Sequence, residues 1–131
     1  MAEGPAVTVH EAVGGDAFLV DLVGRFYDGV ADDPVLRPLY PDDLSESRRT
    51  LTGFLIQYWG GSTAYSDERG HPRLRMRHAP FVIGPAERDA WFQHMVAALN
   101  AVVAERDVPV EVEQAMRQYF EMSAEAMRNA P

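Results

Sequence analysis

The chain has 131 residues, 47% of them hydrophobic, no cysteine and a formal net charge of −8. One domain of ordinary size can bury a core from this composition without cross-links, and the lack of cysteine excludes a disulfide framework, a thiolate metal site and a cysteine nucleophile. The acidic balance repels nucleic acid and anionic lipid, and no apolar run reaches the roughly 20 residues that a membrane span needs.

A first short helix is expected over Val7 to Val13, ended by Gly14-Gly15. The first six residues read as a flexible N-terminal extension of a single domain spanning 1–131. They show no basic segment followed by an apolar stretch, so no signal peptide is expected. Asp16 offers an N-cap for the second helix. There Phe18, Leu22, Phe26 and Val30 recur every four residues, with Leu19, Val23 and Tyr27 alongside, as one apolar face of helical period. Asp32-Asp33-Pro34 breaks that helix. Pro34, Pro38 and Pro41 then exclude a long helix and leave short turns or a single-turn helix over 34–44.

Ser45 is expected to cap the third helix, in which Ser47, Leu51, Phe54 and Tyr58 follow at i, i+4, i+7 and i+11 beside Leu55 and Trp59. Gly60-Gly61 suits a left-handed ending. Ser62 to Gly70 reads as a polar loop. Pro72 to Ala79, followed by Pro80, reads as a short helix of about 12 Å, with Pro72 in its first turn. Such a helix does not hold by itself, so something outside it must fix it. Gly84-Pro85 opens a long helix marked by Trp91, Met95, Leu99 and Val102, with Phe92, Val96 and Val103 adjoining. After Asp107-Val108-Pro109 the last helix carries Val112, Met116, Tyr119, Phe120 and Met127. Nothing reads as a strand, and the expected fold class is all-α.

Of the histidines, His10, His71, His78 and His94, no two stand in an HExxH pair or at i, i+4, which speaks against a zinc hydrolase. No P-loop, GxGxxG or GxSxG occurs, and the scattered carboxylates form no acid–base pair. His78 has a distinct setting, at the end of the short helix with Leu74 one turn before it and Phe81 just after. Two readings stand: a satisfied core histidine, or the single axial ligand of a haem iron. The second requires the other ring nitrogen to donate to a nearby carbonyl. Tyr27, Tyr40, Tyr58, Trp59 and Trp91 are polar-tipped aromatics, several on the predicted apolar faces. They are either plain core or donors around a cavity for a polar diatomic ligand. All twelve basic residues are arginine, and Arg69, Arg73, Arg75 and Arg77 fall within nine residues. That cluster is either a solvated helix face or a place for an anionic ligand.

Specific words go further. Phe26-Tyr27, Val35-Leu36-Arg37-Pro38-Leu39-Tyr40-Pro41, Gln57-Tyr58-Trp59-Gly60-Gly61, Tyr65-Ser66, the run Gly70 to Phe81 around His78, and Glu87-Arg88-Asp89-Ala90-Trp91 occur in this order. Together they resemble the second group of truncated haemoglobins, most of all the haemoglobin O type of actinobacteria, from about Val9 to Met127. The resemblance implies a two-over-two helical sandwich around haem b. It matches His78 to the proximal iron ligand, Tyr27 and Tyr40 to two distal tyrosines, and Trp91 to the tryptophan over the ligand. Leu51 and Phe54 match haem-facing positions. Ser47 falls where ordinary globins carry a distal histidine, a place that is usually small in this group. Leu74 and Phe81 flank the iron ligand on the cofactor. Thr50 departs from the pattern, since a basic residue is common there. Propionate binding then falls to Arg77, with Tyr65, His71 and Arg73 as further candidates.

The activity implied is binding of O2 and related ligands (NO, CO, peroxide). Donors from Tyr27, Tyr40 and Trp91 would stabilise a ligand that takes on negative charge and slow its release. Slow release suits redox detoxification, by nitric oxide dioxygenation or peroxide reduction, fed by an external reductase because the chain carries no flavin or nicotinamide domain. The alternative is an oxygen-binding, storage or sensing module without turnover. A cytoplasmic location and a homo-oligomer are the remaining expectations.

Overall fold

The computed structural model describes residues 7–131, apart from the Arg75 side chain. The extension read over residues 1–6 lies outside the described residues. Seven α-helices and one 3-10 turn follow in chain order: α1 Val9–Ala12, α2 Asp16–Ala31, the turn Arg37–Leu39, α3 Ser45–Tyr58, α4 Ala64–Arg69, α5 Leu74–His78, α6 Pro85–Ala104 and α7 Val110–Ala126. No strand occurs among the described residues. Helix α2 packs against α3 and α6, and α6 packs against α7. The two pairs, α2 with α3 and α6 with α7, make the expected all-helical two-over-two arrangement. No helix among the described residues is long and apolar enough to cross a membrane.

The apolar period of the sequence becomes the core directly. Phe18, Leu19, Leu22, Val23, Phe26, Tyr27 and Val30 of α2 are all buried. They meet Met95, Ala98, Leu99 and Val102 of α6, and Met116 and Phe120 of α7, in one cluster. Each such side chain contributes about 1.5–3 kcal/mol of transfer free energy. That gain offsets the entropy lost in ordering helices that would not persist in isolation.

The caps differ in detail from the sequence reading. Asp16 is the first residue of α2 and Gly15 precedes it as N-cap, because the Asp16 carboxylate is engaged elsewhere, 2.6 Å from His10 Nε2. Ser45 likewise starts α3 after Leu44, and its amide donates to Asp43 Oδ1 at 2.9 Å. Pro85 stands at the first position of α6, where its missing N–H leaves no gap. The turn after α3 needs glycine. Gly60 has φ 103°, and a Cβ at Gly60 or Gly61 would lie 2.7 Å from Thr8 or Ile56 respectively. That close approach lets the His10 amide donate to the Trp59 carbonyl at 2.9 Å, tying α1 to the end of α3.

Residues 62–70 are not a loop throughout, since Ala64–Arg69 form α4. Six residues with one apolar anchor, Tyr65, show no period to read. The helix is fixed from outside by Gln57, whose side chain accepts from the Ser66 amide at 2.9 Å and donates to the Ser66 hydroxyl at 2.6 Å. The next helix is also shorter than expected. Arg73 is left-handed, φ 47°, so Pro72 stands before α5 and not in its first turn.

Candidate functional site

His78 closes α5, and its setting follows from the helix itself. Leu74 lies one turn earlier, and the His78 Nδ1 is 2.6 Å from the Leu74 carbonyl oxygen. A carbonyl only accepts, so Nδ1 carries the proton and donates. In the tautomer with that proton alone the lone pair sits on Nε2, which has no hydrogen-bond partner among the described residues. This geometry meets what a single metal ligand requires.

The histidine lines a cavity of about 400 Å³ between α3, α5, α6 and α7, a size common for small-molecule sites. Leu51, Phe54, Leu74 and Phe81 supply apolar wall, and Ser47 and Tyr65 line it as well. Tyr27, Tyr40 and Trp91 come to the same cavity from α2, from the residue after the 3-10 turn, and from α6. The Tyr27 and Tyr40 rings meet edge to face, 5.5 Å between centroids. Phe26 holds Tyr27 at 5.0 Å on one side and Trp91 at 5.5 Å on the other. Burial raises the Tyr27 phenol well above its ordinary value. It pushes Tyr40 up to about 12, with its neighbours Tyr27 and Trp91 pulling the other way. Both phenols therefore keep their protons at neutral pH. The cavity faces three groups that can donate hydrogen bonds: two O–H and one indole N–H.

One rim is charged. Arg77 lines it and donates to the Arg69 carbonyl at 3.5 Å. Among the described residues Arg77 has no carboxylate partner. Arg69 lines the same rim beside Thr50 and pairs with Glu46, which Arg49 in turn bridges to Glu68 at 3.1 Å. Sequence reading missed Arg69. It belongs to the arginine cluster, but its segment was read as loop and nothing local directs it inward. Leu36, Leu39 and Met127 also line the cavity. The first two sit inside the word that runs from Val35 to Pro41, and the third was read on the apolar face of the last helix, so their signal was present.

Other candidates fall elsewhere. His71 is exposed and outside the cavity, where its Nδ1 accepts from the Arg73 amide at 3.1 Å. The chain turns at Gly70 (φ 74°) and Arg73 (φ 47°), and this separates both His71 and Arg73 from the rim. Tyr58 and Trp59 do not reach the cavity either. Tyr58 is 51% exposed and stacks on Tyr119 at 4.2 Å, while Trp59 is core against Phe120.

The residues present fit a haem. A lone imidazole with a free Nε2 suits an axial position, the flat apolar walls suit a porphyrin, and Arg69 and Arg77 on one rim suit its carboxylates. No cluster of three His, Asp or Glu occurs among the described residues.

The profile of the family described as bacterial-like globin matches residues 8–129. A group 2 truncated haemoglobin of Bacillus subtilis is 43% identical over 99 residues, 76% of this chain and 74% of its own. Among solved structures, the haemoglobin of Thermobifida fusca is 49% identical with a TM-score of 0.90, covering 95% of this chain and 99% of that one. The group II truncated haemoglobin of Bacillus anthracis is 37% identical with a TM-score of 0.90, over 98% of this chain and 95% of its own.

Proposed function

The chain belongs to the bacterial-like globins, among the group II truncated haemoglobins, and from this premise we propose that it binds haem b through His78 Nε2 and holds O2 and related diatomic ligands beneath Tyr27, Tyr40 and Trp91. The observation that carries the reading is the His78 Nδ1–Leu74 carbonyl contact at 2.6 Å, which leaves Nε2 as a lone-pair donor in the same cavity as the three hydrogen-bond donors. The 49% identity with the haemoglobin of the actinobacterium Thermobifida fusca supports the O-type likeness.

Haem, when bound, supplies reversible binding of small ligands at its iron. Everything else falls to the chain. His78 would give one nitrogen to the metal and fix its ring by the other. Leu51, Phe54, Leu74 and Phe81 would keep water from the cofactor, and Arg69 and Arg77 would hold its carboxylates. Tyr27, Tyr40 and Trp91 offer hydrogen bonds to a ligand that gains negative charge. Two such bonds of about 1.5 kcal/mol each slow ligand release roughly a hundredfold.

A ligand released that slowly suits redox detoxification better than carriage, with electrons delivered by an external reductase. The cysteine-free composition fits a reducing cytoplasm. The test is the absorption spectrum of the purified protein supplied with haem, compared with His78→Gly. A strong Soret band with the wild type and its loss in the variant are expected. A colourless wild type, or a variant with an unchanged spectrum, overturns the assignment. Reaction of the oxygenated protein with nitric oxide, followed for nitrate over repeated turnover with a reductant, separates turnover from storage.

A further inference from the structure

Helix α5 has five residues and carries the one imidazole on which the proposed function rests. Five residues do not hold a helix in water. The tether comes from the far end of the chain. Asn129, just beyond α7, donates from Nδ2 to the Phe81 carbonyl at 2.8 Å and to the His78 carbonyl at 3.4 Å, while its Oδ1 accepts from the Ile83 amide at 2.8 Å. Its own amide and that of Ala130 donate to the Ile83 carbonyl at 2.9 and 3.2 Å. A single asparagine thus answers backbone groups of His78, Phe81 and Ile83. Among the described residues no other side chain hydrogen-bonds the backbone of residues 78–83.

The choice of residue matters. The segment presents two carbonyls and one N–H, so its partner must both donate and accept from one short side chain, which is the asparagine inventory. His78 is held by its ring at Leu74 inside α5 and by its own carbonyl, which accepts from the Phe81 amide at 3.0 Å and from Asn129. The first contact sets the rotation of the ring, and the second sets where the residue stands relative to α7 and the cavity that α7 lines.

We propose that Asn129 is a positioning residue for His78: by fixing the backbone of residues 78–83 to the end of α7, it sets the bond that Nε2 makes to the haem iron. The inference rests on the haem reading above.

The test compares Asn129→Ala with Arg128→Ala in the haem-loaded protein. Arg128 lies on the same tail, and among the described residues its side chain hydrogen-bonds only Glu125. Three quantities are read: the iron–histidine stretching band of the ferrous protein by resonance Raman, the rate of haem transfer to apomyoglobin, and the urea midpoint of the haem-free chain. In Asn129→Ala the band is expected to shift or broaden, and haem is expected to leave about tenfold faster or more. Arg128→Ala leaves both unchanged. The proposal is overturned if Asn129→Ala keeps the wild-type band, whatever it does to the urea midpoint. If the alanine variant does not fold, Asn129→Asp decides. It keeps the acceptor for Ile83 and loses the donor to His78 and Phe81, so a shifted band supports the proposal and a wild-type band overturns it. A wild type that takes haem with no iron–imidazole band refutes the functional reading itself, and this proposal with it.

Discussion

His78 Nδ1 and the Leu74 carbonyl oxygen lie 2.6 Å apart, within one turn of α5. The contact fixes the tautomer of the ring before any ligand arrives. If His78→Gly leaves a hole that free imidazole fills, the guest must reproduce that bond to bind well. 4-Methylimidazole keeps an N–H donor for Leu74, and 1-methylimidazole, of the same size, has none. With haem supplied, the first should restore the Soret band of the variant at a concentration about threefold to tenfold lower, the measure of one neutral hydrogen bond. Equal affinities in a spectral titration would remove Leu74 from the site.

Loss of one distal donor should speed ligand release. Trp91→Phe removes the indole N–H that shares the cavity with Tyr40 and keeps an aromatic ring in place. The O2 dissociation rate measured by stopped flow should rise about tenfold. An unchanged rate takes Trp91 out of the mechanism.

Haem retention should depend on the charged rim. Arg69 and Arg77 line it, and Thr50 stands where the resemblance calls for a basic residue. Partly exposed ion pairs contribute about 0.2–1 kcal/mol each. Arg69→Ala and Arg77→Ala should therefore each speed haem transfer to apomyoglobin up to about fivefold. A variant that retains haem like the wild type does not hold a propionate.

Asp33 should make stability depend on acid pH. Its carboxyl is held below the usual range, first by the hydrogen bond from His94 at 2.6 Å, then by the amides of Val35 and Leu36. A carboxyl depressed in the folded state contributes stability above its unfolded value, near about 4, and loses it as pH falls through the lower folded value. In urea titrations the wild type should exceed Asp33→Asn clearly above pH about 5, and the two should converge toward pH about 3. A gap that does not change with pH would mean that the His94 pair contributes nothing through charge.

Two glycines of α2 should respond in opposite directions to alanine. A Cβ at Gly24 meets nothing nearer than Arg48 Nη1 at 3.8 Å, whereas at Gly29 it would run into the His94 ring at Nδ1. Gly24→Ala should stabilise by about 0.5–1 kcal/mol through helix propensity. Gly29→Ala should destabilise by about 1–3 kcal/mol by displacing the His94 ring from Asp33. Urea unfolding midpoints check both.

The pattern of residues alone was enough for α2, α6 and α7. A core-facing helix must return an apolar side chain to the same face every three or four positions, and Phe18 to Val30 do so without interruption. The words around Tyr40, Trp59 and His78 likewise pointed to the globin family, and the candidates Tyr27, Tyr40, Trp91 and His78 line one cavity. Helix α4 was not legible, because its six residues, with Tyr65 as their one large apolar side chain, carry no period and are held by Gln57 of another helix. Two histidines seven residues apart in one arginine-rich stretch were both candidates. Only the left-handed turn at Arg73 sends His71 outward while His78 faces the cavity. Arg69 at the rim and Asn129 on the backbone of His78 were equally out of reach, since their partners lie 23 and 51 positions away. Helical period is written into neighbouring residues by the geometry of a single turn. Which polar groups finally meet depends on how helices cross and where the chain turns, and that is settled only when the whole chain packs.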